Sequence, residues 1–398
     1  MASKNSNKTF CCYYKNISYM KADEKLMIAS SKRVVIKIGS NVLTQDNGLN
    51  LNVIGSISRQ ISMLMDKKIE VILVSSGAMA SGIKKIGLSK RPDEIPKRQA
   101  VAAVGQAGLI MEYEKAFERF DKKVAQILLT SDDLSNRKRY LNARNTIYTL
   151  LSWKVVPVIN ENDTVAIEEI KFGDNDNLAA MIALLLDADI LITLTDIEGL
   201  YDKDPRNNPE ASLIPTVESI SKNLEKLAGG IAGPLGTGGM LTKIMAAKKV
   251  TAAGIPMIIA KGEKPDILTR LFAGEKHGTF FVPKKGRLSR KKCWIGYSLK
   301  PQGAVIIDDG AVSAIINEGK SLLPGGVIGV EGEFKEGAPV EFCNSNNEVI
   351  GMGLVNYSSA DIIKIMGLKT SRIKEKLGHK PYDEIIHRDN LALTAECR

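Results

Sequence analysis

The sequence predicts an α/β protein, an open and mostly parallel sheet with helices on both faces, followed by a small β-rich domain. Three observations lead there. From Arg33 onward, short apolar runs alternate with amphipathic stretches of helical period. Those runs are apolar throughout rather than at every second residue, as strands covered on both faces require. Beyond about residue 300 the rhythm changes to short β-like runs separated by Gly, Pro and Asn turns.

Taken in order, residues 34–38 read as the first strand. Val53, Ile57, Ile61 and Leu64 recur at helical spacing, and 70–74 is the next strand. A helical pattern covers 100–120, a strand 124–129, and a helix over 142–153 leads into a strand at 155–159. The buried helix 178–186, strand 190–194, helix 241–253 and strand 256–260 complete the sheet. In the later region, 304–307, 327–330, 339–342 and 349–355 read as strands, interrupted by one helix near 311–317. This is a barrel or sandwich type of small domain. The expected organisation is a flexible amino-terminal extension (1–32), the α/β domain (33–282), a basic linker (283–300) and the β-rich domain with its tail (301–398).

Composition narrows the class. In 398 residues, 44% hydrophobic and 25% charged side chains are what a soluble globular chain carries. No apolar run approaches the ~20 residues that span a bilayer. The first 32 residues lack the apolar core and cleavage site of a signal peptide. Five cysteines without CxxC spacing fit a reducing cytoplasm better than a disulfide framework or a zinc site. The net charge of +10 is concentrated in the extension and in Lys284–Lys292, so it says little about nucleic acid. Only three histidines occur, His277, His379 and His387, none beside a serine or cysteine nucleophile, which argues against His-dependent chemistry.

Four stretches can carry chemistry. Residues 157–177, PVINENDTVAIEEIKFGDNDN, run from a strand end through two knots of Asn, Asp and Glu into a buried helix. Open α/β sheets place ligands at such strand ends, although Asn, Asp and Gly also make ordinary turns. Lys37 sits inside the apolar strand, where an ammonium needs an anion or a route to solvent. Ser75-Ser76-Gly77 ends the second strand with backbone donors and hydroxyls. Gly236-Thr237-Gly238-Gly239-Met240-Leu241-Thr242-Lys243 opens a helix with three glycines and a lysine, a phosphate cradle without the Walker A order. His387-Arg388-Asp389 imitates a protein-kinase catalytic loop, but Thr394 stands where that motif needs asparagine. Lysines, glycine loops and an Asp/Asn knot at the ends of one sheet are the parts of phosphoryl transfer.

VVIKIGSN, VSSGAMASG, PVINENDTV, KFGDNDNLAA, LTDIEGLYDKDPR and GTGGMLTK, in this order, resemble the glutamate 5-kinases of the amino acid kinase family. The likeness runs from about Arg33 to Ala260 and continues into a region similar to a PUA domain. It implies ATP-dependent phosphorylation of the γ-carboxylate of L-glutamate, the first step of proline synthesis. It places Ser76, Asp163 and Asn175 on glutamate with Asn160 nearby, and Asp163 against the α-ammonium. Lys37 and Lys243 would bridge the transferring phosphoryl group with Asp174 orienting them, and Thr195, Asp196 and Thr237–Lys243 would line the nucleotide pocket. Mg²⁺ would arrive with ATP, without a protein metal cage. A homo-oligomer in the cytoplasm, with proline as a feedback inhibitor, is the further implication. Two alternatives stay open, a kinase for another acidic amino acid and an RNA-binding protein acting through the PUA-like domain. Nine acidic and four basic side chains between Pro301 and Thr370 oppose the second.

Overall fold

The computed structural model describes residues 23–45, 48–165, 175–229, 239–284 and 289–394. They form two compact units, one of residues up to Thr130 with 142–251 and 255–284, the other of 131–141, 252–254 and the chain from Lys285 onward.

The first unit is built on an eight-stranded sheet. Its strands are β1 (Arg33–Ile38), β2 (Glu70–Ser75), β3 (Lys123–Leu129), β4 (Val155–Glu161), β5 (Ile190–Thr195), β6 (Thr216–Val217), β7 (Met257–Lys261) and β8 (Thr279–Phe281). They lie in the order β3-β4-β2-β1-β5-β7-β8-β6. Every neighbouring pair is parallel except β7 and β8. Arg33 is half-buried and the other five residues of β1 are buried, because the strand is central and covered on both faces. The same double cover explains why its sequence is continuous in apolar residues rather than alternating.

The helices of this unit include α1 (Leu51–Asp66), α2 (Ala78–Ile86), α3 (Ile95–Glu118), α4 (Arg137–Ser152, shared between the units), α5 (Asn175–Leu186) and α6 (Met240–Ala252). α1 follows the expected 3.6-residue pattern, with Ile54, Ile57, Ile61 and Leu64 buried, and Asn50 caps it by accepting from the Val53 N–H at 3.2 Å. In α5, eleven of twelve residues are buried, so almost no face is left to solvent. Several elements escaped the sequence reading, among them the strands β6 and β8 at one edge of the sheet. A hairpin pairs Thr44–Gln45 with Gly48–Leu49, and α2 follows Gly77 at φ +102°. Within the expected amino-terminal extension, residues 23–29 are helical and Ile28 is buried in the core. A single apolar turn among polar neighbours leaves too short a pattern to read.

The second unit carries a five-stranded sheet of β9 (Ala304–Ile307), β10 (Val327–Glu331), β11 (Pro339–Cys343), β12 (Val349–Leu354) and β13 (Leu391–Leu393), in the order β10-β9-β11-β12-β13. Its separate core includes Val305, Ile307, Val340, Phe342, Ile362 and Ile365. The part of the expected linker that is described includes α7 (Arg290–Ser298). Cys293, Trp294 and Ile295 are buried there, and Trp294 Nε1 donates to the Leu134 carbonyl at 2.9 Å. Three apolar residues inside a string of Lys and Arg concealed that helix. The single helix expected in this region is joined by shorter ones at Ser359–Ile365 and Ile373–Leu377.

Candidate active site

β1, β2, β4 and β5 all end at the same edge of the sheet, and each delivers a polar residue there. β1 brings Lys37, held at 5% exposure inside an otherwise apolar strand. Its Nζ lies 2.6 Å from Asp176 Oδ1. The other oxygen, Oδ2, is 3.1 Å from Lys243 Nζ, and Thr242 Oγ1 donates to it at 2.7 Å. Two lysines more than 200 positions apart in the chain therefore share one carboxylate that is 1% exposed. Burial alone would raise that acid. The Lys37 and Lys243 ammoniums, with hydrogen bonds from Lys37 and Thr242, outweigh it and hold Asp176 well below the usual carboxylate range. Two ammoniums gathered at one point are the kind of group that meets a phosphate.

One residue earlier in α5, Asn175 faces the other half of the site. Its Nδ2 donates to Ser76 Oγ and to Asn160 Oδ1, each at 2.9 Å, and lies 3.2 Å from the Ser75 carbonyl. Its Oδ1 is buried and without a hydrogen-bond partner among the described residues. Asn160 Oδ1 also accepts from the Glu161 N–H at 2.9 Å, so strand end, second strand and helix are tied at one point. Beneath them, the buried Tyr113 hydroxyl lies 2.9 Å from Ser75 Oγ. These groups open on a cavity of about 190 Å³ whose wall includes Ser76, Arg91, Asn160, Glu161, Asp163 and Asn175. Burial pushes the Asp163 carboxyl up to about 7; Glu161 adds to the rise and Arg91 opposes it. A carboxylate so placed is short of a cation.

At the end of β5, Thr195 Oγ1 donates to Asp196 Oδ1, and Asn41 Nδ2 to Asp196 Oδ2, each at 2.9 Å. Burial works against ionisation of Asp196, but these two donors and the Lys243 charge leave it below its ordinary value. The site thus combines a cavity bearing carboxyl groups with a lysine–aspartate cluster, joined by two consecutive residues of one helix.

The amino acid kinase family model matches residues 32–261 and the PUA domain model residues 303–377. A glutamate 5-kinase of Geobacter sulfurreducens is 51% identical over 368 residues, which is 92% of this chain and 99% of that protein. One from Syntrophus aciditrophicus is 50% identical over 379 residues, 95% of this chain and 98% of that one. The chain belongs to the glutamate 5-kinases of the amino acid kinase family. Among solved structures, a UMP kinase from Bacillus anthracis aligns at 15% identity with a TM-score of 0.46, over 64% of this chain and 97% of that one.

In this amino acid kinase, Ser76, Asn160, Asp163 and Asn175 come together on one cavity, and Lys37 and Lys243 on one carboxylate. Asp174, Thr237 and Gly238 lie outside the described residues. A carboxylate that bridges the lysines is Asp176, which the sequence reading did not name. The signal was available, since Asp176 falls in the first turn of a helix whose apolar run was plain. Thr242 Oγ1 also lies 2.8 Å from the Gly239 carbonyl oxygen, while Met240 is buried and Leu241 exposed on the same helical turn. Arg91 was missed because it sits in a short Lys-Arg-Pro stretch with no pattern to mark it.

Proposed function

We propose that the protein transfers the γ-phosphoryl group of ATP to the γ-carboxylate of L-glutamate, giving L-glutamyl 5-phosphate for proline synthesis. The observation that carries this reading is the convergence of Lys37 and Lys243 on buried Asp176, beside a cavity bearing Asp163 and Asn175. Glutamate lies in that cavity, with its α-ammonium against Asp163 and with Asn175, Asn160 and Ser76 fixing its orientation. A γ-carboxylate oxygen attacks the γ-phosphorus while the bond from that phosphorus to the β,γ-bridging oxygen breaks, and ADP leaves with the electron pair. The nucleophile is already ionised at neutral pH, so no general base is needed and the shortage of histidine is no obstacle. Catalysis then rests on positioning and on charge. Lys37 and Lys243 neutralise the transferring phosphoryl and the departing phosphate, and Asp176 holds both ammoniums in place; Asp174, outside the described residues, remains a proposed participant in that orientation.

Thr195, Asp196 and residues 237–243 form the nucleotide side in this reading, and Lys243 enters α6 within its first turn, where the helix dipole adds positive potential. Among the described residues no group of three or more His, Cys, Asp or Glu side chains could hold a metal ion. In this reading Mg²⁺ enters on the phosphates of ATP, with water completing its shell. Residues 33–282 are taken as the catalytic part and 301–398 as the PUA part. A cytoplasmic homo-oligomer inhibited by proline completes the reading. No helix of the described residues is long and apolar enough to cross a membrane. The acidic balance of residues 301–370 disfavours RNA as a partner.

The test is glutamate-dependent ADP release, with the acyl phosphate trapped by hydroxylamine as the hydroxamate. Turnover with glutamate and little with aspartate is expected. Equal turnover with both, or none with glutamate, would refute the assignment.

A further inference from the structure

Arg91 is a charged residue of the cavity wall for which the proposed chemistry has so far no use. Its Nε is buried and has no hydrogen-bond partner among the described residues. Leaving a guanidinium N–H unpaired and out of water costs free energy unless a ligand supplies the acceptor. Burial and the charge of Arg98 hold Arg91 below its ordinary pKa, and Asp163 pulls in the opposite direction. Arg98 itself is engaged, donating to the backbone carbonyls of Pro92 and Asp93.

Asp163 is the mirror image of Arg91. It stands on the same cavity wall, senses Arg91 and Glu161, and is short of a cation. The two are close enough for each to affect the other's ionisation, yet no direct ion pair joins them. A separated guanidinium and carboxylate around one small cavity match a ligand that presents a carboxylate and an ammonium together. That is the head group of an α-amino acid. The proposed reaction gives the ammonium a partner in Asp163 and the distal carboxylate a place beside the lysines, and leaves the α-carboxylate with none.

We propose that Arg91 binds the α-carboxylate of the amino-acid substrate and, with Asp163, sets the specificity of the cavity for a zwitterionic head group. This rests on the reading of glutamate as substrate. A planar guanidinium suits a carboxylate by paired hydrogen bonds, which an ammonium at the same place reproduces poorly. Because this contact is distant from the reacting γ-carboxylate, it acts in substrate and transition state alike and belongs in KM rather than kcat.

The experiment compares wild type, Arg91→Leu, Arg91→Gln and Arg91→Lys, with circular dichroism and the KM for ATP as checks on the fold and on the nucleotide side. Glutamate is the substrate. 4-Aminobutyrate, which lacks only the α-carboxylate, and glutarate, which lacks only the ammonium, serve as competing ligands. The expected result is a rise of about a hundredfold in glutamate KM for Leu and Gln, with kcat and ATP KM nearly unchanged. Glutarate inhibition should weaken in parallel, 4-aminobutyrate inhibition should stay as in wild type, and Lys should recover part of the loss. Folded variants with unchanged glutamate KM overturn the assignment, and so does an equal loss for all three ligands, which marks a structural role. A raised ATP KM alone would move Arg91 to the nucleotide. Absence of glutamate turnover by the wild-type protein would instead refute the functional reading, and this inference with it.

Discussion

Asp163 and Asp176 stand at the same edge of one sheet, and burial acts against ionisation in both, yet they end on opposite sides of the ordinary carboxylate value. What separates them is the company each keeps. Asp176 has two ammoniums, so its folded value lies below the unfolded one. Its contribution to stability is complete above the ordinary range of about 4 and is lost only as pH falls through the folded value. Asp163 has Glu161 and a distant Arg91, and its value rises to about 7. Between about pH 4 and 7 the folded chain holds a proton that the unfolded chain has released, so stability falls as pH rises across that window. Asp163→Asn should therefore be more stable than wild type at pH 8, with a thermal-midpoint gap that widens from about pH 4 to about 7 and is flat above. The same variant should bind glutamate far more weakly and ATP normally. Calorimetry in buffers of different ionisation enthalpy should show proton release when glutamate binds wild type near pH 6.5, and none in Asp163→Asn. Asp176→Asn removes the carboxylate that Lys37 and Lys243 share, and removing one member of a buried ionic group is costly. We expect kcat to fall on the order of a hundredfold and the thermal midpoint to drop. Normal kcat in a folded Asp176→Asn protein would show that the lysines need no bridge. The lysine within an apolar strand and the Asp/Asn knots were legible because polar residues at strand ends break an apolar pattern. That Asp176 of GDNDN meets the lysines was not, since that depends on where the helix begins. Arg91 left no trace, because its role comes from a fold-back that no local spacing encodes.

At the scale of elements, α5 presents Asn175 to the cavity and Asp176 to the lysines from its first turn, and its burial fixes both. The Ser76 side depends on a second device. A Cβ on Gly105 of α3 would come 1.7 Å from the Ala78 carbonyl oxygen, and one on Gly82 of α2 would come 1.9 Å from that of Val101. The two helices pack backbone against backbone directly after the Ser76-Gly77 turn. Gly105→Ala should separate them, at a cost of about 1–3 kcal/mol or more by analogy with overpacking. It should also raise glutamate KM, although residue 105 does not line the cavity. A thermal midpoint and KM equal to wild type would contradict this dependence. The sequence hid α2 because its small residues, needed for that contact, carry little apolar periodicity. The helix Leu178–Leu186 was plain for the opposite reason, its apolar run leaving no alternative to a buried element.

At the scale of the whole molecule, both sheets were legible in outline, since strand runs and turn residues are local signals. The limits between regions were less so. Residues 131–141 join the carboxyl-terminal unit through contacts remote in sequence, with the Tyr140 and Trp294 rings 5.8 Å apart. A chain ended after Lys284 would expose Leu134 and Tyr140, while one ended after Ser298 keeps the Trp294 that covers them. The longer truncation product should have the higher thermal midpoint and solubility; equal behaviour of the two would mean that this helix matters little to the remainder. The central claim is the sharing of one phosphoryl group by two lysines, one from a strand and one from a helix. Steady-state kinetics of Lys37→Ala, Lys243→Ala and the double variant, with the fold checked by circular dichroism, test it most directly. The account predicts that either single change lowers kcat by about a hundredfold or more, as for loss of one preorganised donor, that glutamate KM moves much less, and that the double variant loses less than the product of the two. A Lys243→Ala enzyme with near-normal kcat and only a raised KM for ATP would contradict it.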